Sequence, residues 1–229
     1  MPRGKIEFMF AQRLPRAVLW DLDGTLIDSE HYWMNSERLL AAKYNAPWSA
    51  ADGESLVGMS LYDSTKIMKE KFGSELEPHE IIELLTDSVT EQLRGAIPWR
   101  PGAQELLRLL RANGVKTALV TMSMRRMAEQ VVAAIDFDAF DVIVAGDDVE
   151  HGKPHPEAYL LAAALLGEKP GDCIAIEDSL TGLTSAEAAG TRAIAVPNIQ
   201  HIPSKPGRII WETLEGASMR KLRKAFKTK

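Results

Sequence analysis

The sequence predicts an α/β fold: a parallel sheet covered by helices on both faces, with an all-helical segment inserted after the first strand. Three observations carry this. Short apolar runs alternate with helix-like stretches, as βαβ crossovers require. The first such run ends in an acidic, glycine-containing turn, Asp21-Leu22-Asp23-Gly24-Thr25. Residues 31–97 then show three- and four-residue apolar spacing and no convincing strand.

Taken in order, residues 16–21 (RAVLWD) read as a buried strand ending in acid. Within the insertion, residues 36–44, 61–72 and 78–93 place apolar side chains on one helical face, with Gly53, Gly58 and Gly73 interrupting them. The chain returns to the sheet near Pro98-Trp99-Arg100-Pro101-Gly102. A helix over residues 103–112 stops at Asn113-Gly114. Strands follow at 116–121, 142–145, 173–176 and 193–196. Between them lie helices at 124–134, with Ser123 as N-cap, at 156–166, opened by proline and closed by Gly167, and at 179–189, closed by Gly190. Residues 1–30 and 98–229 are thus assigned to the α/β core and 31–97 to the helical insertion.

Composition narrows the function. The 229 residues carry 27 Lys and Arg against 32 Asp and Glu, a net charge of −5, which argues against a nucleic-acid partner held by phosphate neutralisation. One cysteine, Cys173, excludes an intramolecular disulfide or a multi-cysteine zinc site. The longest apolar run, residues 159–166, falls far short of the roughly 20 residues that span a bilayer. The N-terminal stretch has early positive charge but no apolar segment of the signal-peptide kind. The expectation is a soluble, cytoplasmic monomer without membrane or nucleic-acid partners. The tail from residue 220 carries six basic residues and reads as a solvated helix end, with contact to an anionic partner as the alternative.

The chemistry gathers at strand ends. Asp21 and Asp23 close the first strand, and Gly24 lets the chain turn there. Two carboxylates this close repel, so a cation or a shared proton relieves them. Asp178 ends another strand, and parallel strands present their carboxyl ends on one edge. Asp21, Asp23 and Asp178 together suit Mg²⁺, which prefers oxygen ligands. Thr121 adds a hydroxyl at a strand end before a helix, and Lys153 adds a positive charge. Carboxylates, hydroxyl, ammonium and cation together describe a phosphoryl-transfer site.

At these residues the chain resembles the haloacid-dehalogenase superfamily, within the group of β-phosphoglucomutase and small phosphosugar and phosphoglycolate phosphatases. The D-x-D-G-T motif of that family is Asp21 to Thr25, extended here by Leu26-Ile27-Asp28-Ser29-Glu30. The strand-end Ser or Thr is Thr121. The lysine before a P-x-P string is Lys153, and the acidic pair before S-x-x-G is Glu177-Asp178. The resemblance spans roughly residues 16–197. It implies a Rossmann-like core with a helical cap after the first strand. It also implies that Asp21 attacks phosphorus to form an aspartyl-phosphate. Asp23 then acts as general acid and base. Mg²⁺ is held by Asp21, Asp178 and the Asp23 backbone carbonyl; Thr121 and Lys153 grip the phosphoryl group, and Glu177 orients metal-bound water. The reaction implied is Mg²⁺-dependent hydrolysis of a small phosphorylated metabolite. The alternatives are a hexose-phosphate mutase and a non-catalytic protein that accepts a phosphoryl group on Asp21.

Departures from the family pattern favour hydrolysis. The mutase branch carries a histidine twelve residues after its nucleophile, and here that position is Trp33. His31 lies about 200° away on a helix. The mutase arginine after its G-V-S string is replaced by Leu61, following Gly58-Met59-Ser60. Met122 stands after Thr121 where a small polar residue is usual. Other polar positions have plainer readings. Asp148 either helps hold Lys153 or sits in a turn, His151 and His155 read as solvated loop rings, and Cys173 reads as a buried hydrophobe. Tyr32 and Trp33 are assigned to packing at the hinge, with the substrate cleft as the alternative.

Overall fold

A computed structural model describes residues 14–227 apart from 58 and 74. Six parallel strands form one sheet in the order β3-β2-β1-β4-β5-β6. They are β1 (Ala17–Trp20), β2 (Lys116–Val120), β3 (Val142–Val144), β4 (Cys173–Glu177), β5 (Arg192–Ala195) and β6 (Ile209–Ile210). The central strands have no water-facing side, which is why they read as continuous apolar runs rather than alternating ones. Alternate residues feed two cores. Val18, Trp20, Leu119, Ile174 and Ile176 pack towards α5 (Ala103–Ala112), α6 (Arg125–Ala133) and α9 (Met219–Lys227). Ala17, Leu19, Ala118, Val120 and Ala175 pack towards α7 (Glu157–Leu165) and α8 (Leu180–Ala188). The second face is alanine-rich on both sides, so helix and sheet approach closely there.

Four helices lie between β1 and α5: α1 (Glu30–Lys43), α2 (Ala50–Leu56), α3 (Leu61–Phe72) and α4 (Pro78–Gly95). The stripe Ile81, Leu85, Val89 and Leu93 on α4 is buried against α1 and α3. The two chain segments that join these helices to the sheet pair with each other. Ile27 and Trp99 form an antiparallel bridge, Asp28 N–H donates to Pro98 O at 2.7 Å, and Arg100 N–H donates to Leu26 O at 3.0 Å. Arg126 of α6 donates to Asp87 of α4 at 2.7 Å and ties the insertion to the sheet layer a second time.

The structure corrects several local expectations. Gly53 does not interrupt a helix but lies inside α2, a helix the sequence reading lacks, which a Ser49–Asp52 capping box starts. Gly73 does end α3, in the left-handed conformation, whereas Gly58 lies outside the described residues. Ser123 is not the N-cap of α6; Met124 is, and the Ser123 side chain goes elsewhere. The two-residue strand β6 is too short for a periodicity to register. The basic tail forms α9, with Leu222 and Ala225 buried and residues 228–229 outside the description. Among the described residues, no helix is long and apolar enough to cross a membrane.

Candidate active site

The sheet order reverses at β1, and a crevice opens there beyond the carboxyl ends of the strands. Asp21 follows β1 directly, its N–H held by Ile176 O of β4 at 3.0 Å. The turn after it closes through Gly24 N–H to Ile27 O at 2.8 Å. Gly24 has φ +81°, and a Cβ there would overlap the Asp178 carboxylate. Glycine is therefore required both for the turn and for the approach of the two acidic strand ends.

Asp21, Lys153, Glu177 and Asp178 are all buried. Lys153 Nζ donates to Asp21 Oδ1 at 2.7 Å, to Glu177 Oε1 at 2.6 Å and to Val120 O at 2.9 Å. Tyr159 donates its hydroxyl to Glu177 Oε1 at 2.5 Å, and Ser179 Oγ lies 3.3 Å from Glu177 Oε2. Glu177 thus fixes the lysine from below the site. Asp21 Oδ2 is buried without a hydrogen-bond partner.

The charge balance explains the titration of these groups. Burial and the Glu177 carboxylate push Asp21 up to about 7, against the pull of Lys153. Burial and the Asp21 and Glu177 carboxylates raise Asp178 well above the ordinary range. Burial alone would lower Lys153, but Asp21 and Glu177 outweigh it and raise it. Three carboxyl groups share one ammonium, so negative charge is in excess. Oxygens of Asp21, Glu177 and Asp178 lie within 4.8 Å of one another. A crowded oxygen set with one unpartnered oxygen fits a hard divalent cation.

Asp23 stands beside this cluster, and donors surround it. Its Oδ1 accepts from Ser29 Oγ at 2.6 Å and from Trp33 Nε1 at 2.8 Å. Its Oδ2 accepts from Ser123 Oγ at 2.5 Å and from Thr121 Oγ1 at 3.4 Å. Thr121 Oγ1 also accepts from Ser123 N–H at 2.9 Å. One cavity contains Asp21, Asp23, Thr121, Lys153 and Asp178 and runs on between α1 and α2.

All six residues singled out from the sequence, Asp21, Asp23, Thr121, Lys153, Glu177 and Asp178, therefore meet in one place. Asp148 does not hold Lys153: it accepts from Ala145 N–H at 2.7 Å and pairs with Arg125. His151 and His155 are exposed and face Glu157. Cys173 is buried, and burial pushes its thiol up to about 12. Tyr32 sits at the hinge, its hydroxyl 3.5 Å from Ala96 O, whereas Trp33 lines the cavity. Sequence reasoning missed the roles of Ser29, Ser123, Glu30, Glu37 and Tyr159. Ser29 and Glu30 directly follow the acidic motif and Ser123 follows Thr121 by two, so proximity was a signal for those three. Nothing in the sequence marked Glu37 or Tyr159.

The parallel α/β core with acidic strand ends and a buried lysine is shared with a family of hydrolases. The haloacid dehalogenase-like hydrolase family model matches residues 15–190, and the chain belongs to that family. It is 33% identical over 190 residues to a bifunctional riboflavin kinase/FMN phosphatase of Arabidopsis thaliana, matching over 82% of this chain and 50% of that one. The chain thus corresponds to about half the length of that relative. It is 31% identical over 183 residues to a phosphorylated carbohydrates phosphatase of Thermotoga maritima, over 78% of this chain and 83% of that one. Among solved structures, CbbY from Rhodobacter sphaeroides, in complex with xylulose-(1,5)bisphosphate, superposes with a TM-score of 0.81 at 25% identity, over 91% of this chain and 99% of that one. The chain is an enzyme of the phosphatase type.

Proposed function

We propose that this enzyme is a Mg²⁺-dependent phosphohydrolase that removes phosphate from a small phosphorylated metabolite, a sugar phosphate or similar, through an aspartyl-phosphate on Asp21. The observation that carries it is the state of Asp21: buried, held at Oδ1 by Lys153 and without a partner at Oδ2, with Asp23 beside it. The carboxylates of Asp21 and Asp178 and the backbone carbonyl of Asp23 would hold the cation. When bound, it supplies positive charge against the carboxylates and the phosphoryl oxygens.

In the first half-reaction an Asp21 oxygen attacks phosphorus and the bond from phosphorus to the leaving oxygen breaks. Asp23 delivers the proton that the leaving oxygen takes. In the second, water attacks phosphorus, Asp23 accepts its proton, and the bond to Asp21 breaks. Thr121 and Lys153 bind the transferring group. Glu177, with Tyr159 behind it, holds Lys153 in place. Residues 31–97 act as a cap that covers the cavity and excludes bulk water.

Trp33 favours hydrolysis over phosphate transfer between two positions of one sugar. Its N–H donates to Asp23, and an indole has no acceptor nitrogen with which to relay a proton. The deciding experiment is phosphate release from a panel of sugar phosphates, phosphoglycolate and nucleotides, with Mg²⁺ and with EDTA, alongside Asp21→Asn. Mg²⁺-dependent release that Asp21→Asn abolishes is the expected result. A persistent aspartyl-phosphate with no release from any compound would overturn the reading.

A further inference from the structure

A second group of metal-ligating side chains lies outside the crevice. His151 and His155 stand on either side of Lys153, two residues before it and two after, and Glu157 opens α7. Their ligand atoms all lie within 4.8 Å of one another. Each ring turns its Nδ1 to the same oxygen, Glu157 Oε2, at 3.0 Å from His151 and 3.7 Å from His155. The ring centroids are 4.7 Å apart and the planes tilted by 39°, so the rings converge at an angle rather than stack. Both rings are exposed.

The backbone holds this trio in place. Glu157 Oε1 accepts from Glu150 N–H at 2.9 Å and Oε2 from His151 N–H at 3.1 Å, which fixes the carboxylate. His155 N–H donates to Gly152 O at 3.0 Å, and Ser185 Oγ of α8 donates to His155 O at 2.6 Å. An incoming ion has little left to order beyond the rotation of two rings.

The donor set selects the ion. Ligand atoms about 2.0–2.1 Å from a tetrahedral ion lie about 3.3 Å from each other. The separations of 3.0 and 3.7 Å bracket that edge. Two imidazoles and one carboxylate suit Zn²⁺ and its first-row neighbours, whereas Mg²⁺ keeps to oxygen. The trio thus differs in kind from the all-oxygen set of Asp21 and Asp178. A neutral ring binds through its bare nitrogen, so Nδ1 faces the ion and the proton sits on Nε2, where water can accept it.

We propose that His151, His155 and Glu157 form a second metal site, which takes Zn²⁺ or a similar first-row divalent ion with water completing its coordination. The ion ties both ends of the segment carrying Lys153 to the first turn of α7. Its role is to brace that segment. It leaves the Lys153 ammonium where Asp21, Glu177 and Val120 O already hold it. The inference stands apart from the phosphatase reading.

The test is calorimetric titration of Zn²⁺ into EDTA-stripped, dialysed protein in excess Mg²⁺. Zn²⁺ also enters oxygen sites, so the titration is run on wild type and on Asp178→Asn. One equivalent should survive Asp178→Asn. Losing even an outer partner of a metal ligand costs about 10–100-fold in affinity, so His151→Gln and His155→Gln should each weaken that equivalent by at least about 10-fold. Saturating Zn²⁺ should raise the Tm of Asp178→Asn by about 5 °C, and adding His151→Gln should abolish the rise. Phosphate release in Mg²⁺ alone should be unchanged by His151→Gln. In NMR spectra of the wild-type protein, Zn²⁺ should move the ring signals of both His151 and His155 among the five histidines, which tests the site even if no variant folds. An equivalent untouched by either histidine variant overturns the inference. So does its loss in Asp178→Asn, which places the ion at the acid cluster, or movement of one of the two rings alone, which marks a lone surface histidine.

Discussion

Trp33 Nε1 donates to Asp23 Oδ1 at 2.8 Å, which ties the first helix of the insertion to the end of the first strand. Ser29 reaches the same oxygen, and Ser123 and Thr121 take the other. Asp23 is therefore oriented from the sheet and from the insertion at once. An acid/base must sit within hydrogen-bond reach of the proton it moves, so its orientation is part of catalysis.

Trp33→Phe removes one donor from this set and keeps the ring that lines the cavity. A hydrogen bond to a carboxylate is worth about 1.5–3 kcal/mol. We expect kcat to fall about 10- to 100-fold, with KM changed by less than about 3-fold. Steady-state kinetics on any accepted substrate checks this. A rise in KM at constant kcat would mean that Trp33 acts on substrate binding alone.

Lys153 lies between two buried carboxylates, so its loss acts on stability as well as on activity. Lys153→Met leaves Glu177 buried with only hydroxyl partners. Breaking a buried pair from one side costs about 3–5 kcal/mol. Urea unfolding should show a loss of that size, and the Lys153→Met, Glu177→Gln double variant should recover most of it. Phosphate release should stay absent in both, because the charge that grips the phosphoryl group is gone.

The acidic cluster at Asp21 and Asp178 predicts a metal-dependent melting temperature. A ligand present at about 100 times its Kd stabilises the folded state by about 2.7 kcal/mol. For a chain of this size, that raises Tm by about 5–10 °C. Mg²⁺ added to protein stripped with EDTA should produce such a rise. Asp178→Asn should lose most of it, and Asp148→Asn, which lies in the Arg125 pair, should keep it.

The sheet and the acid cluster were legible for a physical reason. Strands buried on both faces must be apolar throughout, and the acids that close them stand out against that background. Asp21, Thr121 and Asp178 are therefore marked in the sequence by the strands they follow, whereas Lys153 lies in the loop beyond β3 and is marked only by its charge and its place before a P-x-P string. The sequence did not place α2, because a seven-residue helix with an internal glycine is too short to show a period. It did not assign Trp33 to Asp23, because an aromatic residue at a hinge packs or lines by the same pattern. Glu37 was invisible for another reason. A buried carboxyl in an amphipathic helix looks like any polar residue on the outer face, and only the packing of α1 against α2 turns it inward.

Glu37 makes a last prediction, for stability against pH. Its carboxyl group is pushed up to about 8 from an ordinary 4.5, by burial. The folded state thus binds a proton that the unfolded state releases between those values. The corresponding stability is fully present below about pH 4.5 and is lost as pH rises through about 8. Glu37→Gln cannot titrate and keeps its contribution throughout. The difference between wild type and variant removes Asp21 and Asp178, whose shifts do not draw on Glu37, while Glu30, which the Glu37 carboxylate helps to raise, is relieved in the variant and adds to the difference in the same direction. Each pKa unit corresponds to about 1.4 kcal/mol, so the ceiling is about 5 kcal/mol. Denaturant unfolding in EDTA at pH 5 and pH 9 should therefore show Glu37→Gln gaining on wild type by about 2–5 kcal/mol at the higher pH. Parallel pH profiles would mean that Glu37 is solvated as an ordinary carboxylate, and that the cavity end it lines is wet and open rather than closed around it.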